Sequence, residues 1–371
     1  MNWYSEWLRP LLFRFDAEWC HDRAIGASEA AAGCRPLLSW LDAQYVVEDP
    51  RLATEVCGIR FPNPMGMAAG YDKNGRAIEL LAALGFGHVE IGSVSADASQ
   101  GNPRPRLFRL PQDRALIVHY GLPNEGAEAV ASRLARKRLR VPLGINLVKT
   151  NRGLGAPCES DEAVIEDYVR SARALKDSGS YLCLNLSCPN TEHGRNFFAV
   201  PGNTRLLLRE LSGLNIRCPV FLKVSPHGGV RAIETLLGEV EGLPMISGFA
   251  FNLSPGKPDN LETPMAVWQD KPGAVSGKPS EELLNRCIFE MYRRMDRPRY
   301  RILGMGGVFS AEDAYRKIRL GASLVQLCTA LIYEGPGIVK RISLGLGDLL
   351  ARDGFRQVAD AVGSSEELEA G

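Results

Sequence analysis

The chain has 371 residues, of which 45% are hydrophobic, and its formal net charge at pH 7 is +1. This length accommodates two average domains or one large α/β barrel, and the near-neutral charge gives no general reason to expect a nucleic-acid partner. Nine cysteines occur without a CxxC pair or an accompanying histidine cluster. We therefore expect a reducing compartment, no disulfide framework and no metal site.

The N-terminus lacks the apolar core and the small-residue cleavage site of a secretory signal. No run of 18 apolar residues occurs in the sequence, whereas a membrane-spanning helix needs about 20. We expect a cytoplasmic protein, with peripheral contact to the inner face of the cytoplasmic membrane as an open alternative.

Residues 1–46 differ in character from the rest, because aromatic and leucine side chains recur there at roughly helical spacing. The first helical stretch carries Trp3, Trp7 and Leu11, and a second stretch after Gly33 carries Trp40. Two interpretations of this extension remain open. It is either a pair of helices that caps the core of the following domain, or an amphipathic segment whose aromatic face touches lipid or an apolar ligand.

Short apolar runs alternate with helical patterns from residue 60 onward. The runs predict eight strands, at residues 64–69, 88–94, 142–148, 181–186, 220–224, 245–252, 300–304 and 323–327. Helical patterns follow at residues 75–84, 126–137, 160–177, 203–212, 230–240, 280–295, 310–320 and 337–353. Eight such units predict a (β/α)8 TIM barrel over residues 47–355. The acidic, small-residue tail at residues 356–371 is expected to fray.

Active sites of such barrels lie at the carboxyl ends of the strands, where this sequence places glycine-rich turns and lysines. The turn at residues 304–307 and Thr329 follow the last two strands, a common place for phosphate binding; an ordinary tight turn is the alternative. Lys73 and Lys223 follow or end strands. They are either surface lysines or cations that offset an anion or a reduced flavin ring.

Carboxamides also gather at the strand ends, where Asn146, Asn185, Asn190 and Asn252 fall. Each amide offers donors and an acceptor, so a group of them suits the edges of a planar ring. Cys188 stands between two of these asparagines. A buried spectator thiol is one interpretation of Cys188, and a base or nucleophile at the barrel mouth is the other.

Seven segments of the chain resemble sequences of the dihydroorotate dehydrogenases, and more closely of their quinone-using, membrane-associated class 2 enzymes. They include NPMGMAAGYDKNG at residues 63–75 and GNPRPRLFRL at residues 101–110. The others are residues 15–21, 85–94, 185–191, 275–279 and 321–326. The matching segments keep one order over roughly residues 8–345, which makes the resemblance specific.

The resemblance implies an FMN-dependent enzyme of pyrimidine biosynthesis that oxidises dihydroorotate to orotate and passes the electrons to quinone. By position, the flavin would be held by Ala69, Gly70, Lys73, Ser93, Asn146, Asn185, Lys223, Gly277, Gly307 and Thr329. The pyrimidine-like substrate ring would be held by Lys73, Asn185, Asn190 and Asn252. His21 and Arg109 match residues on the quinone path.

Several positions depart from the class 2 pattern. Cys188 occupies the base position, as in class 1 enzymes, where class 2 has serine. Val118 and Pro123 replace asparagines, and Leu253 replaces threonine. His119 and Cys328 replace an arginine and a tyrosine.

Lost amides and hydroxyls would leave polar groups of dihydroorotate unpaired. A relative that dehydrogenates or reduces another cyclic substrate is therefore an alternative. A flavin-binding barrel without turnover is a third interpretation, which the retention of Cys188 and Lys73 argues against.

Overall fold

A computed structural model describes residues 3–153, 155–157, 159–187, 197–198 and 200–365 of the protein. Its centre is a closed barrel of eight parallel strands. In chain order these are β1 (Met65–Met67), β2 (His88–Val94), β3 (Leu143–Leu147), β4 (Tyr181–Asn185), β5 (Val220–Val224), β6 (Ile246–Phe251), β7 (Arg301–Met305) and β8 (Leu324–Leu327). Each predicted strand is confirmed to within two residues at either end.

The barrel strands are apolar because both of their faces are covered. Every residue of β2, β3 and β4 is buried, as expected for parallel strands between a filled interior and a layer of helices. The few polar side chains in these strands therefore lie inside the barrel or at its mouth. Glu90 of β2 is the charged example, with no exposed surface.

Eight helices follow the strands and pack around the barrel, as the helical patterns predict. They are Ile78–Ala83, Ala127–Leu134, Asp161–Leu175, Asn203–Ser212, Gly229–Val240, Glu281–Arg294, Ala311–Arg319 and Ile338–Arg352. Side-chain caps start two of them: Ser160 accepts a hydrogen bond from the backbone N–H of Ala163, and Ser310 forms a capping box with Asp313.

An antiparallel sheet of three short strands, Leu107–Leu110, Ala115–Val118 and Ala274–Gly277, lies beside the barrel. The first of these strands lies in the segment 99–112, which none of the eight strands predicted from the sequence includes. Proline, glycine and arginine dominate that segment, so its composition does not indicate the four-residue strand. The sheet pairs Val118 with Leu107 on one side and Ala274 on the other, which fixes the position of Val118 at the barrel mouth.

The N-terminal extension consists of a π-helical turn (Tyr4–Leu8) and the helices Arg9–Leu12, Ala17–Ala32 and Arg35–Tyr45. Asp16 caps the second helix by accepting from the backbone N–H of Trp19. The predicted break at Gly33 is confirmed, and a further break precedes Asp16. Trp3, Trp7 and Trp40 are 55%, 77% and 58% exposed. Across the described part of the chain, no helix combines the length and apolar character needed to span a membrane.

The C-terminal segment packs against the barrel helices as far as Ser365, so the expectation that it frays is wrong for these residues. Val358 and Ala361 are buried in a short 3-10 helix. The backbone N–H of Val358 donates to the carbonyl of Arg51 at 2.7 Å, and that of Ser365 donates to the carbonyl of Arg319 at 2.9 Å. Residues 366–371 lie outside the described residues.

Candidate active site

A cavity opens at the carboxyl ends of the barrel strands and contains most of the site residues predicted from the sequence. Those that line it are His21, Ala69, Gly70, Lys73, Ser93, Asn185, Lys223, Asn252, Gly277, Gly307 and Thr329. Asn146 lies behind the wall with no exposed surface and contacts Ser93. Arg109 lines a neighbouring cavity instead. Cys188 and Asn190 lie outside the described residues.

The backbone after β1 borders the cavity closely. Gly70 has a φ of 112°, and its N–H donates to the carbonyl of Gly92 at 2.8 Å. A Cβ atom added to Gly70 would meet no protein atom within 4 Å, so this glycine faces open space rather than packed core. The positive φ favours glycine, and the absence of a side chain lets a flat ligand approach the backbone.

Side-chain hydrogen bonds connect three amides and one hydroxyl, from residues in or directly after four barrel strands, into one hydrogen-bonded chain. Asn252 Nδ2 donates to Asn185 Oδ1 at 2.9 Å, and Asn185 Nδ2 donates to Ser93 Oγ at 3.1 Å. Ser93 Oγ donates to Asn146 Oδ1 at 2.5 Å, and Asn146 Nδ2 donates to Glu90 Oε1 at 2.9 Å. The chain therefore runs from the cavity wall to a carboxylate inside the barrel.

Glu90 ends this chain and was missed in the sequence interpretation. Its second oxygen accepts from the hydroxyl of Tyr181 at 3.1 Å and from Gln326 Nε2 at 3.0 Å. Burial, and next the charge of Glu90, raise the pKa of Tyr181 well above its usual value, so the phenol remains a donor. A single acidic residue within the apolar run HVEIGSV was the available signal, because buried acids are rare unless they are paired.

Two lysines give the cavity a positive character. Lys73 Nζ lies 3.9 Å from the centroid of the Tyr120 ring, and burial lowers the pKa of this ammonium to about 8. Lys223 is 5% exposed. Within the described residues neither ammonium forms an ion pair with a carboxylate, so both charges remain available to an anionic ligand.

Two polar atoms at the cavity are buried without a hydrogen-bond partner among the described residues. They are Tyr120 Oη and Gln326 Oε1. Buried polar groups are nearly always satisfied by protein, water or ligand. Their presence among apolar neighbours such as Phe251 and Leu327 fits a ligand with both a flat apolar ring and polar edges.

The glycine turns at the far side of the cavity are tightly packed. Gly277, Gly306 and Gly307 have φ values of 98°, 88° and 71°. A Cβ atom on Gly307 would lie 2.9 Å from Cα of Glu281, at the start of a helix. This proximity excludes a side chain and leaves the turn backbone exposed to the cavity. The Thr329 and Ser276 hydroxyls are 3.0 Å apart at the same place.

A second cavity lies under the N-terminal extension and shares His21, Tyr71 and Leu107 with the first. Arg109 lines it, where its guanidinium donates to the carbonyl of Phe15 at 2.6 Å and lies 4.6 Å from the Phe13 ring centroid. His21 and Arg109 thus line one mostly apolar cavity that lies under the extension and adjoins the main cavity.

The replaced positions fall in different places. Val118, Leu253 and Cys328 line the main cavity. Pro123 lies against Gly101 and lines an adjoining cavity that also includes Lys73 and Tyr120, so its role at the substrate stays a prediction. His119 Nε2 lies 3.1 Å from Asn102 Nδ2.

The family model described as "Dihydroorotate dehydrogenase" matches residues 51–350. A protein of Natronomonas pharaonis named dihydroorotate dehydrogenase (quinone) is 40% identical over 359 residues, which cover 96% of this chain and 97% of that protein. A protein of the same name from Roseiflexus castenholzii is 40% identical over 367 residues, with 98% and 97% covered.

The fold is also similar to a solved structure, that of DHODH in complex with ferulenol from Eimeria tenella. The TM-score is 0.79 and the sequence identity 26%, and the match covers 94% of this chain and 95% of the other. The eight-stranded parallel barrel with its flanking helices is shared with that structure. Together with the family match over most of its length, these similarities establish that the chain belongs to the dihydroorotate dehydrogenase family.

Proposed function

We propose that the protein is an FMN-dependent enzyme that oxidises dihydroorotate to orotate and passes the electrons to a quinone. Enzymes of this family are flavin-dependent in general. The observation that carries the proposal is the cavity in which Lys73 and Lys223 flank the amides of Asn185 and Asn252. The relatives are named for dihydroorotate, which does not favour the alternative of another cyclic substrate.

The cavity residues fit FMN. The open backbone at Ala69 and Gly70 suits the flat ring, and the glycine turn at Gly307 suits the phosphate. The remaining residues proposed to hold it are Lys73, Ser93, Asn146, Asn185, Lys223, Gly277 and Thr329. Bound FMN supplies a two-electron acceptor.

The substrate side consists of this chain's own polar groups. Lys73 offers a cation to the substrate carboxylate, while Asn185 and Asn252, with Asn190, offer amides to the ring edges. We propose Cys188 as the acceptor of the proton removed from one ring carbon, because it follows the end of β4 by three residues. A thiol has a lower ordinary pKa than a hydroxyl, which favours it as a base. The neighbouring ring carbon loses a hydride, so that a C=C bond forms.

We propose residues 1–46 as a functional unit that admits quinone from a membrane surface, residues 47–355 as the barrel, and residues 356–371 as a tail. The exposed faces of Trp3, Trp7 and Trp40 suit a peripheral contact with the inner face of the cytoplasmic membrane. The cavity lined by His21 and Arg109, which shares lining residues with the proposed flavin cavity, supports this role. No nucleic-acid partner is proposed.

The test uses the purified protein under anaerobic conditions. We expect it to be yellow, to release FMN on denaturation and to lose its flavin absorbance when dihydroorotate is added. A flavin that dithionite reduces but dihydroorotate does not would contradict the proposed substrate. Cys188→Ala should abolish reduction by dihydroorotate while FMN stays bound, and unchanged kinetics in this variant would exclude the thiol as base.

A further inference from the structure

Glu90 ends the hydrogen-bonded chain inside the barrel and, like Asn146, has no exposed surface. Its carboxylate accepts three hydrogen bonds, from Asn146, Tyr181 and Gln326. In the described part of the protein no lysine, arginine or histidine pairs with it. All three partners direct a donor at the carboxyl oxygens, so Glu90 serves only as an acceptor in this structure.

Along the hydrogen-bonded chain, the orientation of each side chain determines whether the next one donates or accepts. Asn146 must direct Nδ2 at Glu90 and therefore directs Oδ1 at Ser93, which donates its hydroxyl hydrogen to it. The Ser93 oxygen then accepts from Asn185 Nδ2, and Asn185 Oδ1 accepts from Asn252 Nδ2. Amide groups can be turned by 180° without a steric change, so the groups at the two ends of the chain decide their orientation. Glu90 acts from inside the barrel, and the backbone of Ser187 and Leu253 acts from the cavity.

The cavity end of the chain shows what this orientation provides. Asn252 uses both hydrogens, for Asn185 Oδ1 and the carbonyl of Ser187, and its Oδ1 accepts from the backbone N–H of Leu253. Among the described residues, Asn185 keeps one unused N–H, and Asn252 keeps an unused oxygen lone pair. A donor and an acceptor thus stand side by side, which matches adjacent C=O and N–H groups of a cyclic imide.

We propose that Glu90 is a positioning residue that holds Asn146 and Ser93 in the donor–acceptor order that Asn185 and Asn252 need, and thereby supports the selection of a ring with the matching order of C=O and N–H groups. This inference deepens the proposed function and rests on it. Glu90 contributes no atom to the cavity wall. It is connected to the wall through Asn146 and Ser93 on one side and through Gln326 on the other. If Glu90 became a mixed donor and acceptor, Asn146 could turn and present Nδ2 to Ser93, and the order would then be held from the cavity end alone.

The test uses the FMN holoenzyme and compares substitutions of two buried residues, Glu90 itself and one of its hydrogen-bond donors. Glu90→Gln removes the acceptor-only group, whereas Tyr181→Phe removes one donor to the other oxygen and leaves the amide chain intact. We expect Glu90→Gln to raise the Kd of orotate, measured from the flavin difference spectrum, by roughly tenfold or more. The KM for dihydroorotate should rise in step, with kcat changed by less than about threefold. Tyr181→Phe should leave the Kd within about twofold.

A double variant tests the donor–acceptor direction of the hydrogen-bonded side chains. Glu90→Gln combined with Asn146→Asp moves the acceptor-only carboxylate one position up, where it again accepts from Ser93, and we expect it to recover the orotate affinity to within about threefold of wild type. If Glu90→Gln alone does not fold, this double variant decides the matter. Equal effects of Glu90→Gln and Tyr181→Phe, or a double variant without recovery, would overturn the inference.

Failure of the proposed function gives a different result. A wild-type holoenzyme that does not bind orotate would contradict the proposed substrate, whatever the variants do. The Kd of FMN, measured by flavin fluorescence, then still tests the role of Glu90, because Ser93, Asn146 and Asn185 belong to the same chain. Glu90→Gln should raise this Kd by roughly threefold or more and Tyr181→Phe should not; equal values would exclude the positioning role.

Discussion

Lys73 Nζ lies 3.4 Å from Nε2 of His21, so the cation at the barrel mouth contacts the N-terminal extension directly. Burial, and then the charge of Lys73, hold the pKa of His21 well below its usual value. The imidazole is therefore neutral at pH 7 and can accept a hydrogen bond from the ammonium. Through this pair the extension touches the group that we propose to bind the substrate carboxylate.

Orotate binding should weaken at high pH because of Lys73. Burial lowers the pKa of Lys73 to about 8, so the ammonium loses its proton as the pH rises through this value. A carboxylate ligand binds the charged form, and the Kd of orotate should rise about tenfold per pH unit above the pKa. Titrations of the flavin difference spectrum between pH 6 and pH 10 measure this.

Lys73→Met should weaken binding by roughly tenfold to a hundredfold at pH 7 and abolish the pH dependence. Lys271 does not line the cavity, so Lys271→Met is the control and should retain the wild-type profile. A wild-type Kd that stays constant up to pH 10 would show that Lys73 does not hold the carboxylate.

His88 should make the protein sensitive to acid. It is fully buried inside the barrel, and burial lowers its pKa from 6.5 to about 3. Between these values the unfolded chain binds a proton that the native state does not, so stability is complete above pH 6.5 and falls as the pH falls towards 3. The expected loss is about 1.4 kcal/mol per pH unit.

Urea unfolding between pH 7 and pH 4 measures the slope of the unfolding free energy against pH. His88→Gln should reduce this slope by the amount that corresponds to one bound proton. Met65→Leu, a change in the adjacent strand β1 without a titrating group, should shift the whole curve and leave the slope unchanged. Equal slopes in wild type and His88→Gln would refute the assignment.

The pair between Glu18 and Arg106 should hold the extension on the barrel. Both side chains are buried, and Arg106 donates to Glu18 through Nε at 3.0 Å and Nη2 at 2.7 Å. Removing one partner of a buried pair leaves the other charge uncompensated, so Glu18→Gln should lower the free energy of unfolding by about 3 kcal/mol.

Glu29→Gln provides a matched control on the same helix, since the Glu29–Arg76 pair is solvent-exposed. It should change stability by less than about 1 kcal/mol. Chemical denaturation gives both values, and comparable losses in the two variants would show that burial of Glu18 has no special effect.

Val118→Asn should tighten orotate binding. Val118 lines the cavity at the end of the antiparallel sheet, where the family pattern has asparagine. A new amide could pair with a ring group of the ligand, which is worth roughly three- to tenfold in Kd. Val118→Leu keeps the position apolar and should not tighten binding. If Val118→Asn binds orotate no better than Val118→Leu, a side chain at this position does not form a hydrogen bond with the substrate.

The sequence by itself determined the barrel. Continuous apolar runs such as Tyr181–Leu184 of β4 and amphipathic patterns such as the helix Asn203–Ser212 are local signals. The order of residues along the chain indicates directly whether an element is buried on both faces or on one. The strand-end rule then located Lys73, Asn185 and Asn252 at one cavity without knowledge of their distances. The hydrophobic periodicity and the position of each residue relative to a strand end were sufficient to predict the barrel and these cavity residues.

The tertiary structure alone decided which side chains meet. Pairing between β2, β3 and β4 brings Glu90, Asn146 and Asn185 into one hydrogen-bonded chain, although these residues are far apart in sequence. The antiparallel sheet likewise directs Val118 into the cavity and leaves Pro123 outside it. Strand register is set by contacts between distant segments, and a shift of one residue would turn every side chain to the opposite face. No local pattern contains that information.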